Sequence, residues 1–138
     1  EHGLSEFALW SHVTIGCLTP EEVERQAGVS FDRPDLEEQA RHGGYITMAG
    51  KMCTEYSISN GAVEIIKAIV HDTKLVTPVS TLVEGAYGES GLFSSLPCVI
   101  GAQGVERVFV PEMAEGEIAK WHASCAHIRE NIEKVKCW

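Results

Sequence analysis

Four segments of the chain carry the apolar spacing of helices, and the region between the third and the fourth carries the spacing of strands. The clearest helix spans residues 114–135, where apolar residues recur at alternating steps of three and four. They are Ile118, Trp121, Cys125, Ile128, Ile132 and Val135. Such a stripe must lie on a core or on a partner. A closing helix docked on the sheet is favoured over a coiled-coil partner site.

Local signals mark where the first two helices begin. Thr19, Pro20 and Glu22 form the sequence of a capping box with proline at the first helical position, and Gly28 is a natural stop. A second helix is predicted to start at Asp35, after a proline.

A glycine pair, Gly43-Gly44, interrupts this second helix. Each glycine costs a helix interior about 0.8–1 kcal/mol relative to alanine. The spacing alone favours a break in the helix, or a neighbour packed tightly on bare backbone, over a functional need for room.

The stretch TEYSISNGAVEIIKAIVHD predicts a third helix. Its apolar side comprises Ile58, Ala62, Ile65, Ile66 and Ile69. Residues 74–88 and 91–111 contain β-rich runs separated by glycine turns, which predicts an antiparallel meander with a hairpin at GAQG. Residues 7–18, FALWSHVTIGCL, are also predicted to form one or two strands. We therefore predict one mixed α+β domain, with twisted antiparallel strands packed against long helices.

Composition narrows the classes of function. The 138 residues carry a formal net charge of -9, which argues against a nucleic-acid or anionic-membrane partner. No apolar stretch approaches the roughly 18 residues that span a bilayer. Five widely spaced cysteines without a Cys-x-x-Cys pair favour buried free thiols in a reducing, cytoplasmic compartment. No metal site is predicted, because His122 and His127 are five residues apart and would point to different helix faces. Phosphate-binding glycine loops and Gly-x-Ser-x-Gly are absent from the sequence.

His2 is the remaining candidate for chemistry. It is flanked by Gly3, which permits close backbone approach, and it precedes strand-like material, so its ring is expected at a strand edge or loop mouth. A lone histidine is more often a surface or satisfied core residue, and the residues alone leave both interpretations open.

The motif EHGLSEFALWS resembles the Gly-Glu-His-Gly-Asp-Ser motif and following Trp-Ser of the NAD-dependent L-lactate/malate dehydrogenase family. LEEQARHGGYI and TEYSISNGAVEIIKAIVHD look like the helices around the substrate pocket of that family. TPVSTLVEGAYG with SLPCVIGAQGVERV resembles its strand–turn–strand signature. The resemblance is closest to L-lactate and L-2-hydroxyisocaproate dehydrogenases. It covers only the C-terminal, substrate-binding half of such an enzyme, as residues 1–138, without the dinucleotide-binding domain.

The resemblance implies roles for five residues. His2 would be the acid/base that protonates the alkoxide formed by hydride transfer from NADH, and the cofactor would be bound mainly by the missing domain. Thr54 would line the substrate beside its carboxylate, with helix capping as its structural alternative. Ile58 would pack on the nicotinamide ring. Gly43 and Gly44 would enlarge the pocket for bulkier branched 2-oxo acids.

Two departures from the family pattern accompany these roles. Leu4 stands where the family motif usually has aspartate, which puts the geometry of the loop around His2 in question. The stretch KMCT replaces the more usual Gly-Tyr-Thr or Gly-Ala-Thr.

Several alternatives remain open from the sequence. A 2-oxo or 2-hydroxy acid is the implied substrate, with lactate favoured by PVSTLVEGAYG and malate as the alternative. A second alternative is a non-catalytic module that kept the fold. Implied partners are the missing N-terminal half and further copies in a homodimer or homotetramer. The fragment alone is expected to be inactive.

Overall fold

The computed structural model describes residues 5–136 and confirms a mixed α+β fold. Four helices and three strands follow one another along the described chain. They are α1 (Pro20–Ala27), α2 (Arg33–Lys51), α3 (Glu55–Val70), β1 (Leu75–Glu84), β2 (Ser90–Gly101), β3 (Gly104–Val108) and α4 (Glu115–Lys136). Short 3-10 turns lie at Trp10–His12 and Ala86–Gly88.

The three strands form the predicted antiparallel meander, in the order β1-β2-β3. The register places Val83 opposite Leu92 and Thr77 opposite Cys98. β2 and β3 are joined by a two-residue turn between Gly101 and Gly104. Gly104 has a φ of 82°, a conformation that glycine adopts without strain, so the GAQG hairpin is confirmed.

The core lies between one face of the sheet and the first half of α4. Val83, Leu92 and Leu96 pack in one buried cluster with Trp121 and Cys125. The predicted docking of the last helix on the sheet is therefore confirmed. Towards the end of α4 the stripe leaves the core, since Ile132 is 39% exposed and Val135 is 71% exposed.

A carboxylate clamp fastens α4 to the start of β2. Glu89 Oε1 lies 2.7 Å from His122 Nδ1, and Glu89 Oε2 lies 2.5 Å from an Arg129 nitrogen. Hydrogen bonds from His122 and Arg129 hold the pKa of Glu89 below its ordinary value. The ionised carboxylate is thus the form that stabilises this junction.

The helix starts follow the local signals closely. The capping box of α1 is complete, because the Thr19 hydroxyl accepts from the Glu22 N–H and the Glu22 carboxylate accepts from the Thr19 N–H. Gly28 ends that helix with a φ of 67°. α2 begins at Arg33, two residues before the predicted start, because Asp32 acts as its N-cap by accepting from the backbone N–H of Asp35.

The predicted strands in residues 7–18 are wrong. This segment contains the 3-10 turn at Trp10–His12 and a single bridge between Ile15 and Leu18. Aromatic and β-branched residues favour strands only where a neighbouring strand completes the ladder. Here the segment is held instead by side chains of α2 and α4, as described below.

The cysteines only partly fit the prediction of buried thiols. Cys98 and Cys125 are buried, whereas Cys53 is half-buried and Cys17 is exposed; all four are free. Burial raises the pKa of both the Cys98 and the Cys125 thiols, which keeps them protonated. Cys137 lies outside the described residues. Across residues 5–136, the helices are all too short or too polar to cross a bilayer.

Candidate functional site

The predicted acid/base, His2, lies outside the described residues, as do Gly3 and Leu4. The role of His2 therefore stays a prediction. The structure describes the segment that follows, from Ser5 onward, together with Thr54, Ile58 and the glycine pair.

The segment after His2 is fastened to α4 by Glu117. This glutamate is buried, and its carboxylate accepts hydrogen bonds from the Ser11 N–H at 3.0 Å, the Ser11 hydroxyl at 2.6 Å and the Ala114 N–H at 2.9 Å. Burial alone would raise the pKa of Glu117, but these donors outweigh it and hold the pKa below its ordinary value. A buried, ionised carboxylate thus fixes the backbone at Ser11.

Two further contacts hold the same segment. The indole N–H of Trp10 donates to Glu37 of α2 at 2.6 Å, and Lys120 of α4 lies 3.5 Å from the same carboxylate. The hydroxyls of Ser5 and Ser124 lie 3.0 Å apart. The chain after His2 therefore bridges two helices along its length. The sequence pattern missed these anchors, because each joins residues far apart in the chain.

Thr54 and Ile58 lie together at the start of α3. Thr54 occupies the N-cap position, but its side chain makes no capping hydrogen bond. Ile58, one turn later, is 75% exposed although it is aliphatic. The structural alternative for Thr54, a side chain that caps the helix by a hydrogen bond, is therefore wrong. The exposed hydroxyl remains available to a ligand.

Side chains at the junction between α2 and α3 hold the position of Thr54. Met52 ends α2 with a φ of 64°, which reverses the chain. Lys51 Nζ lies 3.2 Å from Glu55 Oε2 and 4.0 Å from the centroid of the Tyr56 ring. Cys53 joins this cluster through contacts of its thiol with Lys51. Lys51 and Tyr56 were not predicted as site residues, although Lys51 is the first residue of KMCT and Tyr56 follows that stretch by two positions.

The glycine pair does not break α2. The helix continues through Gly43 and Gly44 to Lys51, and the Thr47 hydroxyl donates to the Gly43 carbonyl at 2.9 Å. A Cβ added at either glycine would meet nothing within 4 Å among the described residues. The predicted break in the helix is therefore wrong, and no neighbour among the described residues packs tightly on the pair. Open space beside the pair remains.

The described site residues thus fall into two pairs, Thr54 with Ile58 on α3 and Gly43 with Gly44 on α2. Ten large apolar side chains between Tyr45 and Val70, on the same two helices and their junction, are each at least 37% exposed. We call this set the α2–α3 apolar surface: Tyr45, Ile46, Met48, Met52, Tyr56, Ile58, Val63, Ile66, Ile69 and Val70. Extensive exposed apolar surface on a soluble protein marks interaction sites.

The sequence of this chain is similar to those of known proteins of one family. Residues 1–137 match the family described as lactate/malate dehydrogenase, alpha/beta C-terminal domain. The chain is 36% identical over 141 residues to an L-lactate dehydrogenase of Synechococcus sp. (strain JA-3-3Ab), covering 99% of this chain and 44% of that protein. It is 31% identical over 139 residues to an L-lactate dehydrogenase of Lactococcus lactis subsp. cremoris (strain NZ9000), with the same coverage.

Solved structures give the same answer. A lactate dehydrogenase from a Medee basin deep-sea metagenome library superposes with a TM-score of 0.91 at 29% identity, covering 96% of this chain and 43% of that one. The malate dehydrogenase of Cryptosporidium parvum superposes with a TM-score of 0.86 at 26% identity, covering 94% and 42%. The chain therefore spans less than half the length of these relatives. It belongs to the lactate/malate dehydrogenase family and corresponds to the alpha/beta C-terminal domain of its members.

Proposed function

We propose that this chain is the substrate-binding half of an NAD-dependent L-2-hydroxy acid dehydrogenase of the lactate type. The observation that carries the proposal is the family match over residues 1–137, which includes the His-Gly pair at the front of the chain. The other half, a dinucleotide-binding domain, would supply the remainder of the active site. A cytoplasmic enzyme fits the free thiols and the acidic composition.

In this proposal His2 moves the proton. During reduction of a 2-oxo acid, the carbonyl carbon C2 gains a hydride and its oxygen becomes an alkoxide. The His2 imidazolium transfers its proton to that oxygen, giving the 2-hydroxy acid and a neutral imidazole; oxidation runs the same steps backwards. Histidine suits both directions, since its ordinary pKa lies near neutral pH.

The described residues support binding roles around that centre. The hydroxyl of Thr54, free of a capping bond, can donate to the substrate beside its carboxylate. The cofactor, when bound, would supply the hydride as NADH and accept it as NAD⁺. The exposed aliphatic side chain of Ile58 fits the flat face of the nicotinamide ring, because burial against that face would remove apolar surface from water.

The missing half is also the proposed occupant of the α2–α3 apolar surface. Thr54 and Ile58 lie within or beside that surface, so a domain that carries the cofactor to Ile58 would cover its neighbours as well. More than half of the length of the relatives lies outside the region they share with this chain. A homodimer or homotetramer would cover further apolar surface, such as Ile132 and Val135 near the end of α4.

The open space beside Gly43 and Gly44 supports a substrate bulkier than pyruvate, such as 4-methyl-2-oxopentanoate. Two glycines in an otherwise continuous helix cost stability, and room for a branched side chain would explain their presence. If the complete enzyme turned over pyruvate far better than the branched acid, this part of the proposal would be wrong.

The test uses the complete gene product that contains this chain, with NADH and each of pyruvate, 4-methyl-2-oxopentanoate and oxaloacetate. We expect reduction of a monocarboxylic 2-oxo acid, and a loss of about 10²–10⁴-fold in kcat for His2→Asn. His12→Asn is the matched control, because His12 is exposed on the same segment. Preference for oxaloacetate would select the malate alternative, and no turnover at all would select a non-catalytic module.

The isolated chain offers a second test. Because the cofactor would be bound mainly by the other half, titration of NADH into the 138-residue chain by calorimetry should show no specific binding. Micromolar affinity would contradict the proposed division of roles.

A further inference from the structure

We propose that Ser124 of α4 is a positioning residue for His2 and acts through the hydroxyl of Ser5. The inference rests on the proposed function, because it gives Ser124 a part in the proton transfer of that same site. The hydroxyls of Ser5 and Ser124 are hydrogen-bonded at 3.0 Å, and Ser5 follows His2 by three residues. Among the described residues, Ser5 is therefore the nearest to His2 along the chain.

Ser124 provides a rigid point of attachment. It is only 4% exposed, and it lies in the stretch of α4 between Trp121 and Cys125, which both pack in the buried cluster on the sheet. Side chains in a close-packed core keep one rotamer, so the direction of their hydrogen bonds is fixed. The hydroxyl of Ser124 can therefore hold that of Ser5 in one place.

A second helix holds the next residue of the segment. Arg41 of α2 donates through one guanidinium nitrogen to the Glu6 carbonyl at 3.3 Å, and another of its nitrogens pairs with Glu38 on the same helix. The chain after His2 is thus attached to α4 at one residue and to α2 at the next. Because Arg41 precedes Gly43 by two residues, the helix that makes this contact also carries the glycine pair of the proposed substrate pocket.

The two residues between His2 and Ser5 explain why an attachment is needed here. Gly3 has no side chain to restrict its backbone. Leu4 stands where the family motif usually has aspartate, and leucine has no polar group that could accept a hydrogen bond. Among the described residues, the hydroxyl pair of Ser5 and Ser124 is therefore the nearest polar contact that can order the chain carrying His2.

Orientation determines how fast a proton reaches the substrate oxygen. A misplacement of about 1 Å can slow a reaction by about 10²-fold. Removal of one hydrogen bond would loosen the chain but leave the imidazole of His2 in the protein, so we expect a smaller loss, of about tenfold. Thr54 and the glycine pair lie on other helices, so the KM for the substrate should change little.

The test uses the complete gene product that contains this chain, with NADH and the 2-oxo acid that it reduces fastest. Ser124→Ala should slow NADH oxidation in a single turnover about tenfold and leave KM within about twofold, since a single turnover excludes product release. Alanine favours a helix and buries no polar group, so this variant should fold. Cys98→Ala is the control for stability alone. Cys98 is buried on β2, so its replacement should lower the Tm without slowing the turnover.

A double-mutant cycle shows whether the two hydroxyls act through each other. Ser5→Ala should have the same effect as Ser124→Ala, and the double variant should be no slower than either single variant. Ser5→Thr keeps the hydroxyl and should retain the rate of the unaltered enzyme. Ser5 is only half-buried, so its variants test the inference even where Ser124→Ala fails to fold.

The outcomes separate this inference from the proposed function. Where the unaltered enzyme reduces a 2-oxo acid, an unchanged single-turnover rate in Ser124→Ala or Ser5→Ala would overturn the inference alone. So would a raised KM with an unchanged rate, or a double variant slowed about 100-fold, the product of two independent effects. An unaltered enzyme without turnover would overturn the proposed function and this inference with it.

Discussion

Replacement of Gly43 and Gly44 by alanine should make this protein more stable. Both glycines lie inside α2, and a Cβ at either position meets nothing within 4 Å among the described residues. No clash therefore opposes the gain in helix propensity, which is about 0.8–1 kcal/mol for each Gly→Ala change. The double variant should raise the free energy of unfolding by about 1.6–2 kcal/mol, the sum of two propensity gains, since neither methyl group meets a neighbour within 4 Å that the two could share.

Thermal unfolding followed by circular dichroism measures this directly. The entropy of unfolding is about 2.1 cal/mol/K per residue, or roughly 290 cal/mol/K for a chain of this length, so the double variant should gain about 5–7 °C in Tm. Gly50→Ala is the matched control: Gly50 lies in the last turn of the same helix and is equally open. It should also raise the Tm, by up to about 3 °C.

The same variants connect stability to the proposed specificity. In the complete enzyme, Gly43→Ala/Gly44→Ala should lower kcat/KM for 4-methyl-2-oxopentanoate relative to pyruvate by at least about tenfold, because a methyl group in a pocket is worth about 10–200-fold. Gly50→Ala should leave the ratio unchanged. A fall in Tm for the double variant would refute the reasoning, since it would mean that the added methyl groups meet a neighbour or that α2 is not a continuous helix.

Three further outcomes test the packing of the described residues by chemical denaturation. Leu92→Ala should lower the free energy of unfolding by about 2–5 kcal/mol because Leu92 is 1% exposed, whereas Phe93→Ala, 61% exposed on the same strand, should change it much less. Glu89→Gln should flatten the pH dependence of the free energy of unfolding. Hydrogen bonds from histidine and arginine side chains of α4 lower the pKa of Glu89. Its contribution to stability is therefore complete above about pH 4.3, the ordinary pKa of glutamate, and is lost as the pH falls through the lowered pKa. Glu117→Ala should cost about 2–4 kcal/mol, since it leaves two backbone N–H groups without their acceptor; a change below 0.5 kcal/mol, roughly that of a surface site, would contradict the anchoring role.

Local chemistry predicted the parts of the fold that depend on near neighbours in the chain. The capping box at Thr19 and the GAQG hairpin each need only a few consecutive residues, and both are confirmed. The stripe through Trp121 and Cys125 predicted the docked face of α4, because a buried face must repeat with the period of the helix.

The failures have a common physical cause. Residues 7–18 have the composition of a strand, but long-range hydrogen bonds to Glu37 and Glu117 hold the segment in another conformation. The glycine pair was predicted to break α2, yet a cost of about 2 kcal/mol is small beside the continuous hydrogen bonding of a 19-residue helix. Composition and propensity contain no information about partners that are distant in the chain.

At the candidate site, too, the sequence could not indicate contacts with distant parts of the chain. The apolar period of α3 was recognised, but a period does not say what covers an apolar face. Ile58 and Ile66 are 75% and 56% exposed, and Ala68 is the buried residue that faces the rest of the fold. Thr54 matched the family motif, but its free hydroxyl became visible only in the structure.

The distribution of apolar side chains connects the fold to the proposed function. Among the described residues, nine apolar residues are buried and 22 large apolar residues are exposed. The buried ones belong mainly to the sheet and α4, which form a core that can hold the N-terminal segment through Ser11 and Glu117. The exposed ones include eleven on α2, α3 and their junction, Ile58 among them, and Thr54 lies at the same junction. The exposed apolar side chains and the proposed site thus lie on the same two helices. One partner domain that brings the cofactor would cover both, since the contact that buries Ile58 would be the contact that positions the nicotinamide ring.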